Sequence, residues 1–201
     1  MIGLKTFLKE FSGFTGGELS HDALYARQRE LVRCGLLPSR EGRGPGSGVP
    51  LSPDTLATFL IGLLATDSLT DLGEHTAQLC KARPLEVSKG RSSSRIGRPT
   101  FRADVARVLI GSKITGFQPG DDINQNLYSG IQVTRHWRGV LLQNREIQTP
   151  DGNKREGMQG VEYLVGEDQR LASSMLSRTV SIEQELFWML CLRLRHYMGL
   201  P

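Results

Sequence analysis

Cysteine is scarce in this chain and aromatic residues are few. Cys34, Cys80 and Cys191 stand far apart in 201 residues, with no Cys-x-x-Cys pair and no Cys/His cluster. That spacing excludes a zinc finger or ribbon, and three isolated thiols do not make a disulfide framework. Their apolar surroundings predict buried, reduced thiols. No apolar run reaches the ~18 residues that a membrane span requires. The opening stretch MIGLKTFLKEF is too short and too polar for a secretory leader. A cytoplasmic protein with no membrane partner is therefore expected. The four histidines, His21, His75, His136 and His196, are scattered without metal-ligand spacing. Asp121 and Asp122 lie in the turn-like PGDDIN with nothing near in sequence to complete a site. No catalytic pair, metal or cofactor signature can be read, so a function without catalysis is expected.

What the chain does have is ordinary globular composition, 38% hydrophobic and 23% charged, with an uneven charge distribution. Residues 1–80 hold 7 Lys/Arg against 9 Asp/Glu, residues 81–107 hold 8 against 2, and residues 108–201 hold 10 against 10. The basic excess thus sits in one short segment, KARPLEVSKGRSSSRIGRPTFRADVAR. Clustered positive charge attracts polyanions. Within it Arg91, Arg95 and Arg98, beside three serines and a proline, read either as an arm tracking a DNA groove or as a solvated tether.

The hydrophobic pattern changes along the chain. Leu4, Phe7, Leu8 and Phe11 mark one face of a first helix. A second begins at Ser20 or Asp22 and ends at Gly35 and Pro38, with Leu24, Leu31, Val32 and Leu36 inward and Arg27, Arg29 and Arg33 outward. A third opens with Ser52 as cap and Pro53 in its first turn, and carries Leu56, Phe59, Leu60, Leu63 and Leu64. Asp67 or Ser68 is expected to cap a fourth, LTDLGEHTAQLCKAR. FRADVARVLIGSKI reads as a further short helix. From residue 130 the period becomes two. Ile131, Val133, Trp137 and Leu141 alternate, as do Val161, Tyr163 and Val165, with a turn signal at Pro150-Asp151-Gly152 between them. Ser181 and Gln184 read as a capping box for a last, very apolar helix over 182–198, which is either central to a core or shared between subunits.

The thirteen residues PSREGRGPGSGVP separate the second and third helices. A phosphate-binding loop would need Lys then Ser/Thr after its last glycine, but Val49-Pro50-Leu51 follows Gly48. A dinucleotide loop would follow a strand, and here a helix precedes it. A plain linker and a DNA-binding wing remain. In a wing, glycines allow close backbone approach and Arg40, Arg43 and Ser47 contact phosphates, beside Arg27, Arg29 and Arg33 on the preceding helix.

The succession GLLP, a Gly/Arg-rich loop and LSPDTLATFLIGLLA resembles the DNA-binding half of MerR-like winged helix proteins and their excisionase-like relatives, over roughly residues 4–80. Where that family carries Arg-Tyr-Tyr or Arg-Tyr-Trp on its recognition helix, this chain has Arg29-Glu30-Leu31, with Tyr25 a turn earlier. The family's dimerising coiled coil is replaced by the linker and an α/β segment. The resemblance implies a sequence-specific binder of double-stranded DNA, a regulator of the phage or mobile-element kind, with Tyr25 added to the contact residues. The expectation is an α+β chain in which residues 1–83 form a winged helix-turn-helix and 84–100 a basic linker. Residues 101–201 would form a small antiparallel sheet with flanking helices for dimerisation or regulation, with a homodimer through helix 182–198. The alternatives are a DNA-packaging or architectural protein, and a small enzyme or ligand-sensing module with its site in the C-terminal half.

Overall fold

A computed structural model describes residues 2–39, 48–84, 99–111, 130–135, 138–148, 154–165, 178–182 and 184–200, with backbone alone at 143–148, 154–159 and 184. Among the described residues, six helices and a five-stranded antiparallel sheet make an α+β fold. Helices α1 (Leu4–Phe14) and α2 (His21–Arg33) pack against each other, and α3 (Pro53–Ala65) and α4 (Leu72–Lys81) follow. The short strand β1 (Arg83–Pro84) leads toward α5 (Phe101–Leu109). Then come β2 (Gly130–Thr134), β3 (Arg138–Gln148), β4 (Lys154–Leu164), β5 (Thr179–Ile182) and α6 (Gln184–Met198).

Ten of the thirteen residues of α3 are buried, so this helix is the centre of the molecule rather than a one-sided surface helix. Its start is closed by a reciprocal cap. Ser52 Oγ accepts from the Thr55 N–H at 3.2 Å, and Thr55 Oγ1 accepts from the Ser52 N–H at 2.9 Å. Pro53 occupies the first turn, where a missing N–H costs nothing. Around α3 lie α4, α5 and β2. One hydrophobic cluster joins Phe7 and Phe11 of α1, Phe59 of α3, Phe101 of α5, Tyr163 of β4 and Phe187 of α6. Packing therefore crosses the expected boundary at residue 83, and the Phe101 N–H donates to the Ala82 carbonyl at 2.9 Å.

The sheet order is β1-β4-β3-β2-β5. β3 and β4 pair over eleven positions, from Arg138↔Leu164 to Gln148↔Lys154, and residues 149–153 with their turn signal connect them. Gly139 lets the sheet close onto α5, because a Cβ there would stand 2.4 Å from the Phe101 ring. Thr100 caps α5 by accepting from the Ala103 N–H at 3.3 Å.

Several elements differ from expectation. The alternation of Ile131, Val133 and Leu141 belongs to two strands, since the chain turns at Arg135 and β3 runs back beside β2. Ser181 lies in a strand, and the Gln184 side chain expected to complete its capping box falls outside the described residues. Ser181 pairs with Gln132 in β5, where β-branched Thr179, Val180 and Ile182 extend the free edge of β2, and α6 starts at Gln184. Helix α4 starts at Leu72 rather than near Leu69, because Ser68 Oγ accepts from the Asp71 N–H in the turn before it. All three thiols are free, but only Cys80 and Cys191 are partly buried. Cys34 is exposed beyond the end of α2. Burial pushes the Cys80 thiol up to about 11 and the Cys191 thiol to about 12, so both stay protonated at neutral pH.

Candidate nucleic-acid interface

The surface of interest is built on α2. Ser20 opens it, accepting from the Ala23 N–H at 3.2 Å. Gly35, at φ +71°, closes it. There the Leu36 N–H donates to the Leu31 carbonyl and the Gly35 N–H to the Val32 carbonyl, each at 2.9 Å. This pair of bonds satisfies the last carbonyls and ends the helix. Leu24, Gln28 and Leu31 face the core. At about 100° per residue the opposite face is centred on Ala26. It carries Ala23, Ala26, Arg29 and Arg33, all exposed, together with exposed Asp22 and half-buried Glu30, one carboxylate to each side of Ala26.

The glycine-rich loop leaves from the end of this helix. Leu37 before it and Val49 and Leu51 after it are buried in the common cluster. The returning chain pairs with the N-terminus. The Leu4 N–H donates to the Val49 carbonyl at 2.9 Å, the Leu51 N–H donates to the Ile2 carbonyl at 3.1 Å, and Gly3 bridges Pro50. Both ends of the loop are thus anchored. Arg40, Arg43 and Ser47 fall between them, outside the described residues, as do Arg91, Arg95 and Arg98.

The four site residues expected on α2 have different surroundings. Arg29 is exposed. Arg33 forks onto Glu30, with Nε at 2.9 Å and Nη2 at 2.6 Å from its carboxylate oxygens. The hydrogen bond holds the Glu30 carboxyl below its usual range. Tyr25 is half-buried, stacked on His21 and covered by Lys5, whose Nζ lies 4.3 Å from the ring centroid. Arg27 turns away from the exposed face. It donates from Nη1 to the Thr66 carbonyl at 2.7 Å and from Nη2 to the Asp67 carbonyl at 3.1 Å, finishing the C-terminal end of α3. Burial draws its pKa down and Asp67 opposes that shift.

Four residues beside this surface are not legible as contacts in the sequence. Lys5 is on α1. Asp67, Arg135 and Arg178 meet at the end of α3, where Arg135 and Arg178 both donate to the Asp67 carboxylate. Those hydrogen bonds hold Asp67 below the usual carboxylate range. These partners lie 68 and 111 residues apart in sequence, so only the fold joins them. Among the described residues no group of three or more His, Cys, Asp or Glu could hold a metal ion. Also among them, no helix is long and apolar enough to cross a membrane. His136, Trp137, Asp121 and Asp122 lie outside the described residues. Comparison with protein-family models, with curated proteins and with solved structures finds no match.

Proposed function

We propose that this protein is a sequence-specific binder of double-stranded DNA that acts in transcriptional regulation without catalysis. In this reading α1 and α2 are a helix-turn-helix, α2 is the helix that reads the major groove, and the loop between Ser39 and Gly48 is a wing. One observation carries it. α2 turns outward Ala23, Ala26 and Arg29, with Arg33 paired to Glu30 and Asp22 beside them, and an arginine- and glycine-bearing loop leaves its C-terminal end, anchored on both sides. Alanines allow the helix backbone close to the floor of a groove. Arginine is the side chain best matched to the acceptor pair of guanine. A wing with glycines can approach phosphates, which fix register without specifying sequence.

The test is selection from a random duplex pool. The wild type is expected to enrich one motif. Arg29→Ala should relax discrimination at one position by about 1–3 kcal/mol. The double variant Arg40→Ala/Arg43→Ala should weaken all duplexes alike and flatten the salt dependence by about 0.9 in log–log slope per lost phosphate contact. Retention of every duplex without enrichment would replace this reading by a packaging or architectural role. Failure to retain any duplex at low salt would end it.

The reading includes a two-fold dimer through α6. Trp188 is 50% exposed and Leu192 44%, one turn apart, while Phe187, Leu190 and Leu194 fill the core. Glu185 lies at the start of the helix and Arg195 and His196 near its end. Two antiparallel copies crossing between Trp188 and Leu192 bring each apolar residue against its counterpart. The same crossing sets Glu185 of one protomer beside Arg195 of the other.

A further inference from the structure

Asp67 gathers more positive charge than a structural ion pair needs. Arg135 alone takes both of its carboxylate oxygens, with Nη1 and Nη2 at 2.7 and 2.6 Å. Arg178 adds a third bond from Nη1 at 2.9 Å, and Arg27 holds the Asp67 carbonyl. Two guanidiniums thus grip one carboxylate, and a third holds the backbone of the same residue. The two sheet arginines differ in setting. The Arg135 side chain is 12% exposed and the Arg178 side chain 70%. The Arg135 N–H also donates to the Arg178 carbonyl at 3.0 Å, so the backbone of Arg178 is fixed where its side chain begins. An exposed pair such as Arg178–Asp67 contributes little to stability. A charge held this way, with most of its donors facing water, is preorganised for an external anion.

Its position relative to α2 indicates which anion. Around the α2 axis Arg27 stands about 100° to one side of Ala26 and Tyr25 about 100° to the other. The Tyr25 side carries Lys5. The Arg27 side carries Asp67 and, through it, Arg178. The exposed face of α2 therefore has a cation along each edge. A helix about 10–12 Å across fills a major groove about 12 Å wide, and a phosphate strand runs along each wall.

We infer that Arg178, braced by Asp67 and Arg135, is a DNA-phosphate contact on the groove wall opposite the one met by Lys5. The sheet is then part of the DNA interface, and the N-terminal helices alone are an incomplete reader. This rests on the reading of α2 as the groove helix.

The full chain is titrated at several salt concentrations with the duplex that the wild type selects, alongside Arg178→Ala, Arg178→Lys and Lys5→Ala. Arg178→Ala is expected to lower the log–log salt slope by about 0.9 while selecting the same motif. Lys5→Ala should do the same from the other wall, and Arg178→Lys should keep the wild-type slope. Thermal unfolding of each variant separates lost contact from lost fold. Arg178→Ala binding with wild-type affinity and slope would overturn the inference and leave the α2 reading standing. So would a slope restored by no cation at 178 although unfolding is unchanged. Wild type that binds single-stranded RNA and no duplex would overturn both.

Discussion

Asp104 lies fully buried in α5, with one carboxylate oxygen accepting from the Tyr163 hydroxyl at 2.8 Å and the other without a hydrogen bond. Arg107 stands 3.7 Å from that second oxygen. Burial raises its pKa above the ordinary 3.8, and the Tyr163 bond and Arg107 only partly oppose it. The folded state thus holds the Asp104 proton more tightly than the unfolded chain does. Its contribution is most favourable below pH 3.8 and is lost as pH rises through the folded value. Asp104→Asn keeps an acceptor for Tyr163 and removes the titration. The melting-temperature difference between variant and wild type should move in the variant's favour from pH 4 to pH 7. A difference that stays constant over that range would show that Asp104 does not titrate there. Side chains whose partners are distant were the illegible ones. Arg27 reads as an outward arginine on a helix, and nothing local announces that its guanidinium finishes a helix ending 39 residues later.

Elements with strong local chemistry were readable, and α3 is the clearest. Ser52 and Pro53 set its start from the sequence alone, and its apolar stripe set its direction. Its burial on all sides was not readable, because that depends on α4, α5 and β2 closing around it. Ser52→Ala removes one half of the reciprocal cap and should cost about 1 kcal/mol in urea unfolding, with an unchanged dependence on denaturant. A loss below a few tenths would mean that Thr55 caps the helix unaided. The end of α2 was legible through Gly35 for the same local reason. β5 was not. Four residues carry too little periodicity, and nothing local announces that Ser181 pairs with Gln132 on the edge of β2. The period-two signal of residues 131–141 was likewise correct in kind. It concealed a reversal at Arg135, because both strands turn apolar residues toward the same core.

At the scale of the molecule, one core links the N-terminal helices to the sheet, and Tyr197 of α6 donates to Glu10 of α1. The sequence supplied the α+β class and the reversal from helical to strand patterning. It could not supply this union, which is made of contacts between residues far apart in the chain. The union brings Arg178, just before β5, onto Asp67, whose carbonyl accepts from Arg27 of α2. The remaining apolar surface of α6 is expected to close a dimer. Trp188→Glu should therefore halve the sedimenting mass while leaving helical circular dichroism unchanged, and an unchanged mass would remove α6 from the interface. The central claim, on which every finer part of the reading rests, is that the chain binds double-stranded DNA through phosphate contacts. The most direct measurement is fluorescence anisotropy of a random-sequence duplex pool titrated with the full chain from 50 to 300 mM salt. The account predicts binding that weakens steeply and linearly in log–log form, by about 0.9 per phosphate contact. Absence of binding at the lowest salt would contradict it.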